Sequence, residues 1–225
     1  MNTTVQTVDE GLRQYLISVY NKMTAALVVS AATAWIAQPL VASLGSWNLA
    51  LAFLPLAFIV ALQFMDKMSE AVAHLVFYTY AAATGLSLSS IFLVFTLGSI
   101  VQVLFISTSV FAAASIYGYL TRSDLTSLGA FLFMGLIGII VASIVNIFLA
   151  SSMMSWIISV AAVLIFTGLT AYDTQKLAEE YRSGGSVYGF SSQGRSSIYG
   201  ALILYLDFIN LFIHLLQLLG QKKDD

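Results

Sequence analysis

Two aspartates are placed where a carboxylate could do chemistry inside a membrane. Asp207 sits in Leu204-Tyr205-Leu206-Asp207-Phe208-Ile209-Asn210-Leu211-Phe212, within an apolar run that starts after Arg195 and ends before Lys222. Asp173 follows a long uncharged block, in Gly168-Leu169-Thr170-Ala171-Tyr172-Asp173-Thr174-Gln175. A charge at mid-membrane depth is costly, so an acid kept there marks a functional position by default. If the helix carrying Asp173 continues to about Tyr181, its carboxylate lies ~12 Å from that end, and Asp207 lies ~17 Å beyond Ser196, at the helical rise per residue. On antiparallel neighbours both depths count from one side, so the two acids can face each other. Close carboxylates in a poorly hydrated site tend to share one proton and to titrate as a pair. Without that proton they repel, or a cation such as calcium, which takes carboxylate oxygens, bridges them. The blander reading leaves Asp173 interfacial and solvated, and Asp207 hydrogen-bonded to a neighbouring helix.

Weaker polar positions surround this pair. Asn210 and His214 follow Asp207 by three and seven residues and share its helix face. With Asn146, in Val145-Asn146-Ile147-Phe148, and Lys67 they are candidate latch or pore-lining residues, set against the commoner use of such side chains, a bond to another helix. Lys67, flanked by Asp66 and Glu70, closes the second apolar stretch, where it can snorkel to the interface or reach a carboxylate. Pro55, inside that stretch, is a candidate kink.

The elements that must position these residues are membrane helices. The chain is 59% hydrophobic and 9% charged, with a mean hydropathy of +0.90, whereas soluble domains carry about 25% charge. It reads as an all-α integral membrane protein without room for a second folded domain. A net charge of −2 argues against nucleic acid as a partner. No cysteine is present, which excludes disulfides and thiolate chemistry, and two histidines are too few for a histidine-built zinc site.

Charge parcels out the spans. No Asp, Glu, Lys or Arg occurs from Met23 to Met65, Ala71 to Thr121 or Leu125 to Tyr172, blocks of 43, 51 and 48 residues. A span takes roughly 20 apolar residues, so each block fits a helical hairpin, with turns expected at Gly45-Ser46, Gly98-Ser99 and Ser151-Ser152. Ser196 to Leu219 adds a seventh helix, long enough to cross fully. Residues 1–22 read as a cytoplasmic arm running into a helix, 23–220 as the membrane domain and 221–225 as a tail. A cleavable signal peptide is disfavoured, because the apolar run continues uncharged past Ser30-Ala31-Ala32 to Leu44. Arg13 and Lys22 precede the first span, Lys67 and Arg122 fall between hairpins, Lys176, Arg182 and Arg195 lie between the sixth and seventh spans, and the hairpin turns carry no basic residue, which places the N-terminus in the cytoplasm. The loop Glu179 to Arg195 is a glycine- and serine-rich linker; it lacks the strand and lysine of a phosphate cradle.

The Leu204–Phe212 segment resembles the most characteristic stretch of the Bax inhibitor (transmembrane Bax inhibitor motif) family. Tyr172-Asp173, Asn146-Ile147-Phe148 and the six-plus-one hydropathy fit it too, so the likeness covers the membrane region. The resemblance implies seven transmembrane helices, six surrounding a central C-terminal one. It also implies a pH-sensitive calcium leak gated by two aspartates, here Asp173 and Asp207, which are also the residues that could bind calcium. Similar bacterial members, with an inner-membrane location, place a basic residue at the end of span two. Lys67 stands there, but lysine cannot fork two carboxylates as arginine can.

Three functions compete on this reading: a proton-regulated calcium leak that needs no cofactor, a membrane interaction protein regulating a protease or stress response, and an intramembrane enzyme. The last is disfavoured, because Gly189-Phe190-Ser191-Ser192 lies in a hydrophilic loop and neither aspartate has the Gly-x-Gly-Asp context of a diaspartyl protease. The expected partners are the lipid bilayer, protons and calcium ions, and a membrane protein for the second reading.

Overall fold

The computed structural model describes residues 2–45, 51, 54, 55, 58, 68–184 and 193–223, with the backbone alone for residues 2–9 and 193. Among them every regular element is helical: α1 (Asn2–Ser43), α2 (Glu70–Leu88), α3 (Ile91–Val94), α4 (Leu97–Leu120), α5 (Thr126–Leu149), α6 (Ser152–Arg182) and α7 (Gln193–Leu219). All but α3 contain a stretch long and apolar enough to cross a bilayer. Pro55 has helical backbone; most of the expected second span, with Lys67, lies outside the described residues. The chain divides into two units, Met1–Val94 with Leu177–Tyr205, and Phe95–Lys176 with Leu206–Asp225.

In the first unit α1 begins at Asn2 as one unbroken helix. Within the segment expected to be an arm, Leu12, Tyr15, Leu16 and Val19 are buried. Their three- and four-residue spacing makes one apolar stripe, and a stripe of that width is buried by packing. It meets the end of α6, where Tyr15 and Tyr181 rings lie 5.5 Å apart, and the start of α7, where the Tyr15 hydroxyl and Ser196 Oγ are 2.9 Å apart. Further along, Ser30 Oγ lies 2.7 Å from the Ala81 carbonyl and 2.8 Å from the Tyr205 hydroxyl. A Cβ at Gly85 would collide with the Ser30 backbone, so α1 and α2 touch main chain to main chain. Small residues allow that approach in membrane helices, where the packing contacts themselves supply the association energy.

The second unit contains the region of interest. The break before α4 falls at Phe95-Thr96, not at Gly98-Ser99, which lie in its first turn. Thr96 causes the shift: its Oγ1 accepts the Ser99 N–H at 3.4 Å and caps the helix earlier than the glycine signal indicates. The α5–α6 turn falls at Ala150–Ser151, beside the expected Ser151-Ser152, with Ala150 left-handed at φ 49°. The α4–α5 loop is pinned by Gln175 of α6, whose side chain donates to the Ser123 carbonyl at 2.8 Å and accepts the Leu125 N–H at 2.9 Å. Asp124, outside the spans, accepts from Thr126, and that bonding holds its carboxyl below the usual value. At the other end of the unit, Thr96 N–H donates to the Gln221 carbonyl at 3.0 Å and Gln221 N–H to Ser99 Oγ at 2.9 Å. The end of α7 is thus tied to the start of α4, and Lys222 lies at the opposite end of this unit from Arg122.

Gln175→Ala removes both loop bonds and leaves a backbone N–H and C=O seeking water. At about 1 kcal/mol per net hydrogen bond, the variant is expected to lose roughly 1–2 kcal/mol and to unfold earlier in a detergent melt.

Candidate functional site

α6 and α7 run antiparallel in the second unit, with Ser159 beside Gln217 and Asp173 beside Asp207. A rise of ~1.5 Å per residue makes these two pairings consistent: fourteen residues on α6 against ten on α7 amount to roughly 21 and 15 Å, a difference that a helix crossing takes up. The Asp173 and Asp207 carboxyl groups lie within hydrogen-bonding reach of each other. Asp207 is 4% exposed, and its Oδ2 has no hydrogen-bond partner; Asp173 is half-buried. Two ionised carboxylates that close, in apolar surroundings, repel strongly, and a shared proton turns repulsion into a hydrogen bond.

The supporting shell comes from α4 and α5. Phe111 packs edge-on against Phe208, centroids 5.5 Å apart, and Thr174 Oγ1 meets Ser115 Oγ at 3.4 Å. A Cβ at Gly118 would strike the Ala171 carbonyl, so α4 and α6 cross in backbone contact two residues before Asp173. Tyr172 packs against the Ala114–Leu125–Ala171 cluster and fills the space over Gly129.

The remaining candidates are used differently. Asn210 Nδ2 donates to the Leu206 carbonyl of its own helix at 2.8 Å. His214 stacks on Phe166 and has Nδ1 3.5 Å from Ser159 Oγ, whose proton goes to Gln217 Oε1 at 2.7 Å. A serine thus lies beside His214, but its hydroxyl proton is directed at an amide. Asn146 clamps the α5–α6 turn, its Oδ1 accepting the Ser151 N–H at 3.1 Å and its Nδ2 donating to Ser155 Oγ at 2.7 Å. Lys67 lies outside the described residues.

Sequence reasoning missed Glu180, which is 1% exposed in the first unit and accepts from Ser196 Oγ at 3.4 Å. In Glu179-Glu180-Tyr181-Arg182 it looks like one charge of a solvated run. Its seven-residue spacing from Asp173, which repeats a helix face, was the available signal.

Among the described residues no group of three or more acidic or histidine side chains is placed to hold a metal. Fold and site together define a multi-span helical membrane protein with a buried carboxyl pair between its last two long helices. The chain belongs to the Bax inhibitor family: the family model described as "Inhibitor of apoptosis-promoting Bax1" matches residues 12–224. It is 41% identical over 220 residues to the inner membrane protein YbhL of Escherichia coli, covering 95% of this chain and 94% of the relative. It is 42% identical over 228 residues to an uncharacterised protein of Rickettsia prowazekii, covering 97% and 94%. A Caulobacter vibrioides protein is 38% identical over 232 residues, covering 96% and 92%.

Proposed function

We propose that this protein is a pH-regulated calcium leak of the bacterial inner membrane, closed by a proton shared between Asp173 and Asp207. The observation that carries the reading is the contact between the two carboxyl groups, one of them 4% exposed. In the full reading seven spans cross the membrane, the last enclosed by the other six, with the N-terminus in the cytoplasm. The membrane assignment follows YbhL, an inner membrane protein by name.

The mechanism follows from charge. With one proton between them, the carboxyls hydrogen-bond and join α6 to α7. When the proton leaves, two like charges face each other in a poorly polarisable setting, and the contact breaks. A passing calcium ion meets at most four carboxylate oxygens, fewer than the six to eight it takes, so water completes its shell. Such partial coordination suits transit rather than residence. The closed state binds the extra proton, so low pH favours closure and flux rises with pH, by at most about tenfold per pH unit for one linked proton.

The test is calcium entry into proteoliposomes across mildly acidic to mildly alkaline pH. The parent should conduct faster as pH rises. Asp173→Asn keeps a hydrogen bond through its amide at every pH and should flatten the profile. An Asp173→Asn profile that overlays the parent's ends the gating reading.

A further inference from the structure

We propose that Lys176 is a positioning residue of the carboxyl pair: its ammonium, over the Tyr172 ring and one turn beyond Asp173, makes Asp173 the charged member and Asp207 the proton carrier. The inference rests on the carboxyl-pair reading above and specifies how that pair is regulated.

The geometry is local. Lys176 Nζ lies 5.5 Å from the Tyr172 ring centroid, a distance at which a cation is attracted to the ring face. The ring is itself fixed, packed on Ala114, Leu125 and Ala171 and over Gly129. Lys176 is three residues after Asp173 on α6, a spacing that makes helix side chains neighbours, and it acts electrostatically on that carboxyl.

The two acids differ in a matching way. Asp173 is half-buried with a cation beside it, while Asp207 is almost fully enclosed with Oδ2 unpartnered. An unpartnered oxygen is far less costly on a neutral carboxyl than on a carboxylate. The proton therefore belongs on Asp207, which donates it to Asp173, and the charge stays where Lys176 offsets it.

On α6 itself Glu179, exposed, and Glu180, buried in the first unit, follow Lys176 by three and four residues; the other elements of the second unit bring few charges. α4 and α5 contain no Asp, Glu, Lys or Arg, and the Arg122 and Asp124 side chains of the loop between them are exposed. In α7 after Tyr205 the titratable side chains are Asp207 and His214, and His214 is seven residues away beside Ser159 and Phe166. Lys222 and Lys223 are exposed at the far end of the unit.

Lys176→Gln removes the cation while keeping length and polarity; Lys176→Arg keeps the charge. A cation near a carboxylate favours its ionised form, so without it the proton is retained to higher pH. A full opposite-charge contact moves such a balance by roughly 1–3 pH units, and the partial exposure of both side chains reduces that to about 0.5–1. The calcium flux profile of Lys176→Gln should move to higher pH by that amount with an unchanged plateau, while Lys176→Arg overlays the parent. A purely structural role would lower flux at all pH values alike, and that result, or an unmoved profile, overturns the proposal.

Infrared spectra of the protein in lipid nanodiscs give a readout independent of conduction. At neutral pH the protonated-carboxyl C=O band should be stronger in Lys176→Gln than in the parent, lost in Asp207→Asn and retained in Asp173→Asn. Equal bands in parent and Lys176→Gln overturn the role of Lys176 whether or not the protein conducts calcium. A parent that conducts none, with the expected bands, overturns the leak reading alone.

Discussion

Asp207→Asn is expected to hold calcium flux at the parent's low-pH level across the whole physiological range, and Asp207→Leu to do the opposite. The asparagine amide donates to the Asp173 carboxylate without needing a proton, so the hydrogen bond between α6 and α7 persists when the parent's has broken. Leucine is close in volume and cannot bond at all. It leaves Asp173 half-buried beside Lys176, able to ionise at low pH with nothing holding the helices together. Two pH units above the closing range, the parent and Asp207→Asn should differ by up to about 100-fold, the limit for a single linked proton. Proteoliposome flux at both pH extremes measures this. Opposite flat profiles are the expected outcome; two variants that both follow the parent's profile would falsify the gate.

The second large effect is structural. Gly118→Val should lower the melting temperature by roughly 6–12 °C, taking an overpacking cost at the upper end of about 1–3 kcal/mol and about 2–4 °C per kcal/mol for a chain of this size. The added Cβ would collide with the Ala171 main-chain carbonyl, and main chain cannot rotate out of the way as a side chain can. α4 must back away from α6 two residues before Asp173, so the pH dependence of flux should weaken along with stability. Gly138 is the control, since a Cβ there meets nothing within 4 Å. Gly138→Ala should melt with the parent or slightly above it, alanine being the better helix former. Thermal melts in detergent decide the matter, and a Gly118→Val protein as stable as Gly138→Ala would show that the close crossing does not matter.

Depth along a helix was legible without coordinates. Among the described residues α1, α2, α4, α5 and α6 overlap the charge-free blocks, the end of α6 expected near Tyr181 falls at Arg182, and the rise per residue puts Asp173 and Asp207 at comparable distances from the facing helix ends. Rise is a property of the backbone alone, so counting residues suffices. The side of each helix that faces a neighbour was not legible. Phe148 at 84% exposure and Phe77 at 0% are the same residue type, because lipid and protein core are equally apolar and no polar face betrays the difference. Tertiary packing alone therefore turned Asn210 back onto its own helix, assigned Asn146 to a turn, buried Glu180, and aimed Gln175 at the α4–α5 loop.

What the amino-acid order determined by itself is that two acids sit in consecutive long apolar helices, each about the same number of residues from one end. Whether they meet depended on the rotation of α6 and α7 about their axes. That rotation is set by the close approach of glycine-bearing helices and by side-chain fit, which are properties of the assembled molecule.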